Sequence, residues 1–93
     1  MTKIILNIKE NGEIFFDCLN HSSEHDTCTI ISTLCNVLVR ATERAGFTVD
    51  EYKAGHVRIY IPKGKRELTE VFNTIKQVLI EVQEQNKNYI KIY

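Results

Sequence analysis

The chain of 93 residues has no tryptophan, one proline, one methionine and four glycines. No repeat, low-complexity run or linker interrupts it, so one domain spanning residues 1–93 is expected. Charge of either sign is not in excess: twelve Lys and Arg balance twelve Asp and Glu. That balance removes the electrostatic footprint of a protein held on nucleic acid or an anionic membrane mainly by charge, and points to a protein or peptide partner. No apolar run approaches the roughly 20 residues of a membrane span. The opening stretch Met1-Thr-Lys-Ile-Ile-Leu-Asn-Ile8 is also too short in its apolar part for a signal peptide. Three cysteines cannot all pair within one chain, and at least one free thiol suits a reducing compartment. A cytoplasmic location is therefore expected.

What is present is a patterned 43% of hydrophobic residues, enough for a modest core. Residues 3 to 9 alternate as a strand with Ile4, Leu6 and Ile8 on one face, and Asn11-Gly12 supplies the positive-φ positions of a tight hairpin turn. Residues 13 to 19 return with Ile14, Phe16 and Cys18 on one side and Phe15, Asp17 and Leu19 on the other. Both faces are substantially apolar, which predicts a strand interior to the sheet or covered on both faces.

From Thr27 to Ala45 the set Ile30, Ile31, Leu34, Val37, Leu38 and Ala41 follows helical spacing, with Arg40, Glu43 and Arg44 on the wet side. Cys35 is read as packing, and Gly46 ends the helix. A second hairpin follows, Phe47–Tyr52 and Val57–Ile61, joined through Ala54-Gly55-His56 with His56 as a solvated turn residue. Pro62 stops the strand, and Lys63-Gly64-Lys65-Arg66 is a basic connector. A second helix from Glu67 to Gln85 carries Leu68, Val71, Phe72, Ile75, Val78, Leu79 and Val82 at 3.6 periodicity, and Tyr89–Tyr93 reads as a last strand. The order ββαββαβ predicts an α+β fold: an antiparallel or mixed sheet of about five strands with two helices packed on it. So small a core, with aromatics spread over its strands, is suited to completion by dimerisation.

All three cysteines and two of the three histidines fall between residues 18 and 35. Asp26 is a good N-cap, which sets Cys28 in the first helical turn, near unsatisfied backbone N–H groups and the positive end of the dipole. That placement favours thiolate. His21 and His25 lie on the approach to the same helix end, and either could take the proton of Cys28. A cysteine nucleophile is one reading of this pattern; a small buried core residue is the other.

The chain resembles the ribosomal-processing cysteine protease family of small bacterial and phage proteins. The resemblance rests on the hairpin running into a histidine loop, Gly12-Glu-Ile-Phe-Phe-Asp-Cys-Leu-Asn-His21, on the helix start Cys28-Thr-Ile-Ile-Ser32, and on the terminus Tyr89-Ile-Lys-Ile. It implies an endopeptidase that trims the N-terminal extension of a ribosomal protein, or cleaves a phage structural protein. It further implies a homodimer, and the chemistry needs no cofactor or metal; the balanced charge leads to the expectation of no direct contact with nucleic acid or membrane. Carried over, Cys28 is the nucleophile and His21 the general base, with Ser32 one turn further on. Asp26 and His25 stand in support, His25 where the family has an aspartate three residues before the cysteine. Asn20-His21-Ser22 stands where the family has Gly-His-Ala, and only six residues separate His21 from Cys28. His25 therefore stays open as an alternative base.

Two other readings come from the same stretch. Cys18, His21, His25 and Cys28 offer four nitrogen and sulfur ligands for a tetrahedral structural zinc. A non-catalytic dimeric interaction module derived from the protease family is the other.

Overall fold

The computed structural model describes residues 2–19, 26–53 and 55–93, and for Asp26, Thr27 and Cys28 the backbone only. Five strands and two helices occur in the order β1 (Thr2–Ile8), β2 (Ile14–Leu19), α1 (Asp26–Arg44), β3 (Glu51–Lys53), β4 (His56–Ile61), α2 (Arg66–Gln85), β5 (Ile90–Ile92). They form one mixed sheet in the spatial order β3-β4-β2-β1-β5, antiparallel except where β5 joins β1 in parallel. The expected ββαββαβ order and α+β class are what the protein has.

Strand β2 is interior, between β1 and β4, which is one of the two placements its apolar faces predicted. In register, Ile4 faces Cys18 and Leu6 faces Phe16 across to β1, while Phe16 faces Ile59 and Cys18 faces Val57 across to β4. These alternate residues point to one side, where both helices pack. The core is Ile4, Leu6, Ile14, Phe16, Cys18, Val57, Ile59, Ile61 and Ile90 from the strands, closed by Ile31, Cys35, Leu38 and Val39 of α1 and Leu68, Phe72, Ile75 and Leu79 of α2. Fully burying such side chains contributes about 1.5–3 kcal/mol each relative to exposure.

The β1–β2 connection is longer than a two-residue turn. It runs from Lys9 to Glu13, closed by Lys9 N–H to Glu13 C=O at 2.8 Å and Gly12 N–H to Lys9 C=O at 3.0 Å. Gly12 has φ 94°, and a β-carbon there would sit 2.8 Å from the carbonyl oxygen of Gly64. The tip is thus held against the β4–α2 connection, where Gly64 N–H donates to the Gly12 carbonyl at 2.7 Å.

Three expectations are corrected. Ile30 and Val37 are 44% and 43% exposed, because α1 buries the stripe Ile31, Cys35, Leu38, Val39 and Thr42 instead. Thr42 can enter it because its hydroxyl donates to the Leu38 carbonyl at 2.8 Å. Residues 47 to 50 are not strand: only Glu51–Lys53 pairs with β4, while Phe47 and Val49 pack against the core. His56 is not a loop residue but the first residue of β4, and its side chain is largely buried against Asp17.

Candidate functional site

Strand β2 delivers the chain to one end of the sheet at Leu19, which pairs with Lys3 of β1 and His56 of β4. After residues 20–25, α1 starts at Asp26 and runs for 19 residues. Cys28 is its third residue. The first four N–H groups of a helix have no partner within it, so the backbone around Cys28 presents donors and the positive end of a long dipole. Ser32, four residues on, is solvent-exposed on the next turn. His21 and His25 lie outside the described residues, and so does any contact they make with Cys28.

The helix start is held by packing further along. Ile31 and Cys35 are buried, three and seven residues after Cys28, and α1 is fixed at that level against β2 through Cys18. The two thiols of Cys18 and Cys35 meet in the core. Their hydrogen bond, and then burial, push the Cys18 thiol well above its ordinary range. Cys18 is therefore a neutral packing group. Of the three cysteines, the two core ones anchor α1 and leave Cys28 as the candidate nucleophile.

The zinc reading needs Cys18 as a ligand, and this thiol faces the helix side of the sheet, engaged with Cys35. Among the described residues no group of three or more His, Cys, Asp or Glu is placed to hold a metal.

Reasoning from the sequence missed a polar cluster on the opposite face. Asp17 is 5% exposed, although no helix among the described residues covers that face. His56 Nε2 lies 2.9 Å from Asp17 Oδ1, and Arg58 Nη2 donates to Asp17 Oδ2 at 3.4 Å. The registers Asp17 with Arg58 and Leu19 with His56 bring the three together. Alternation had already placed Asp17 on that face; the signal that was lacking was the pairing of β2 with β4, which are separated by α1 in the chain. Next to the cluster, Tyr60 donates to Glu13 Oε2 at 2.8 Å and Lys9 pairs with Glu13 Oε1 at 2.7 Å. The Lys9 contact, followed by the Tyr60 hydrogen bond, holds the Glu13 carboxyl below its ordinary value, and the Glu13 hydrogen bond raises Lys9.

No helix among the described residues is long and apolar enough to cross a membrane. No family model and no curated protein matches the sequence significantly. Solved structures do match in fold. One is the essential ribosomal processing protease Prp from S. aureus, crystallised with a covalently linked product peptide, at TM-score 0.77 and 16% identity, covering 99% of this chain and 97% of that one. Another is SMU.848 from Streptococcus mutans, at TM-score 0.75 and 22% identity, covering 99% and 95%. The sheet order, both helices and the helix start that carries Cys28 are thus the parts of a chain that has, over nearly its whole length, the fold of the ribosomal processing protease Prp.

Proposed function

We propose that the protein is a cysteine endopeptidase with Cys28 as nucleophile and His21 as general base. The observation that carries this reading is the position of Cys28: it opens the long helix of a fold shared with a processing protease that holds a covalently linked product peptide. The Cys28 thiolate attacks the scissile carbonyl, forming a C–S bond, and the negative charge on oxygen is met by backbone N–H groups of the first turn, of Cys28 and Thr27. Imidazolium at His21 gives its proton to the leaving amine as the C–N bond breaks. Water, deprotonated by the same histidine, then attacks the thioester, the C–S bond breaks to release the acyl group as a carboxylic acid, and the thiolate and imidazolium are restored. Asp26 and His25 support the site from the loop and the helix start, and Ser32 from the next turn. The substrate is the N-terminal extension of a ribosomal protein or a phage structural protein, the working form a cytoplasmic homodimer.

The test is iodoacetamide labelling of each cysteine against pH, followed by peptide mass spectrometry, on wild type, His21→Ala and His25→Ala. Fast labelling at Cys28 well below pH ~8.5, the ordinary thiol value, and its loss in His21→Ala are expected. Loss in His25→Ala instead reassigns the base. Slow labelling at Cys28 in the wild type overturns the catalytic reading and leaves a non-catalytic interaction module.

A further inference from the structure

No helix among the described residues covers the side of the sheet turned away from α1 and α2. Alternation and register arrange its side chains in rows across the strands. The row at the end where β2 leads into residues 20–25 carries Lys53, Lys3 and Lys91. Two residues along the strands comes Arg58 beside Asp17, and two further Tyr60 beside Phe15.

The chain-wide balance of charge, which argues against a protein held on nucleic acid mainly by net charge, hides a segregation. Lys3, Lys53, Arg58 and Lys91 are exposed on this face, while α2 on the far side carries Glu67, Glu70, Glu81 and Glu84 against Arg66 and Lys76. The carboxylates of the open face are already engaged: Asp17 by His56 and Arg58, Glu51 by Lys53 at 2.9 Å, Glu13 by Lys9 and Tyr60. What the face offers outward is therefore cationic donors and rings. Lys3 and Lys91 are moreover register partners on neighbouring strands, and like charges so placed destabilise each other. Among the described residues neither has an ion pair, and Lys91 Nζ lies 5.4 Å from the centre of the Tyr93 ring. An anion held between the two ammonium groups relieves that repulsion.

The rings stand on interior strands. Phe15 of β2 is partly exposed and Tyr60 of β4 is 40% exposed, its hydroxyl fixed on Glu13 at 2.8 Å. Aromatic rings with cations beside them are what holds a single nucleic-acid strand, bases stacking on the rings and phosphates meeting Lys and Arg. We propose that this face binds single-stranded RNA, with bases on Phe15 and Tyr60 and phosphates at Arg58 and at the Lys3 and Lys91 pair. An open sheet face presents no helix or ribbon to a duplex groove, whereas loops and ends of RNA present unpaired bases that can lie on it. An acidic protein would meet the same cations, but its own donors would find every carboxylate of the face taken. The inference is independent of the proteolytic reading.

The experiment is fluorescence anisotropy of a labelled oligouridylate of about ten nucleotides, titrated with the full chain at several salt concentrations, with circular dichroism to check folding. Wild type is expected to bind with a dissociation constant of roughly 1–100 µM at low salt, weakening as salt rises. Tyr60→Leu should weaken binding about tenfold, and Tyr60→Phe, which keeps the ring, should not. Lys3→Gln combined with Lys91→Gln should reduce the salt slope by roughly one. Arg40→Gln, on the helix layer, should change neither affinity nor slope. No saturable binding up to about 1 mM protein overturns the proposal, as does equal loss of affinity in Tyr60→Phe and Tyr60→Leu. Tighter binding of the matching oligothymidylate overturns the assignment to RNA. A labelled polyglutamate bound as tightly as the RNA, and equally by Tyr60→Leu, also overturns it and gives the face to an acidic protein.

Discussion

The two faces of the same sheet are built on opposite principles. On the helix side every inward residue of β2 and β4 is apolar, and Ile14, Phe16, Cys18, Ile59 and Ile61 are fully buried. On the other side β2 presents Phe15, Asp17 and Leu19, and the most buried of the three is the carboxylate. Burial there comes from neighbours on the sheet itself: Ile5 and Arg58 flank Asp17 in register, and His56 reaches it diagonally. A close-packed apolar layer contributes through the water it excludes and the contacts it makes. A buried carboxylate stabilises only while its partners satisfy it, and costs if they are removed. The helix face is held almost wholly by non-directional packing, the Cys18–Cys35 hydrogen bond apart, and tolerates changes in polarity badly; the other is held by directional contacts to one carboxylate.

The largest effect expected is on the helix face. Phe16→Ala should lower unfolding stability by about 3–5 kcal/mol, read by urea denaturation, since it empties a fully buried site between sheet and helices. A loss below about 1 kcal/mol would show a core able to collapse around the gap, and the comparison would fail.

Next comes the opposite face. Asp17→Ala should cost roughly 1–3 kcal/mol, less than Phe16→Ala because the His56 and Arg58 side chains are 18% and 47% exposed and can turn to water. A double-mutant cycle of Asp17→Ala with His56→Ala should give a coupling on the order of 0.5–3 kcal/mol. Additive effects would mean that the 2.9 Å contact contributes nothing of its own.

Gly12→Ala tests the hairpin tip that both faces share. Its φ of 94° and the 2.8 Å approach to the Gly64 carbonyl are both incompatible with a β-carbon. A loss of roughly 1–2 kcal/mol in denaturant melts is expected.

The smallest effect belongs to Lys9 and Glu13. The carboxyl of Glu13 is depressed below its ordinary 4.5, so its stabilisation is present above that value and lost as pH falls through the folded value. Both side chains are solvated, and screening makes the contribution small. Glu13→Gln should leave the thermal midpoint at pH 7 nearly unchanged, and its difference from wild type should vanish in acid. A large drop at neutral pH would make the tip a second anchor of the open face.

Alternation in 3–8, 14–19 and 57–61 and the 3.6 spacing in 67–85 are local properties, and they made the strands, α2 and the element order legible without coordinates. The stripe of α1 was misread because it is apolar on more than one side. Spacing alone cannot tell Ile31 and Val39, which meet the sheet, from Ile30 and Val37, which do not. The helix start of the candidate site was legible, a cysteine in a first helical turn, since caps and helix starts are written in neighbouring residues. His21 and His25 lie outside the described part of the chain.

By itself the sequence determined most of the stretches that extend or coil, and that Cys28 opens a helix. Those choices depend on residues within a few positions of one another. Only the tertiary structure decided that Cys18 and Cys35 meet in the core, that His56 and Arg58 close over Asp17, and that Lys53, Lys3 and Lys91 fall in one row across the open face. Each of these joins residues far apart in the chain, through strand pairings and helix rotations that no local pattern encodes.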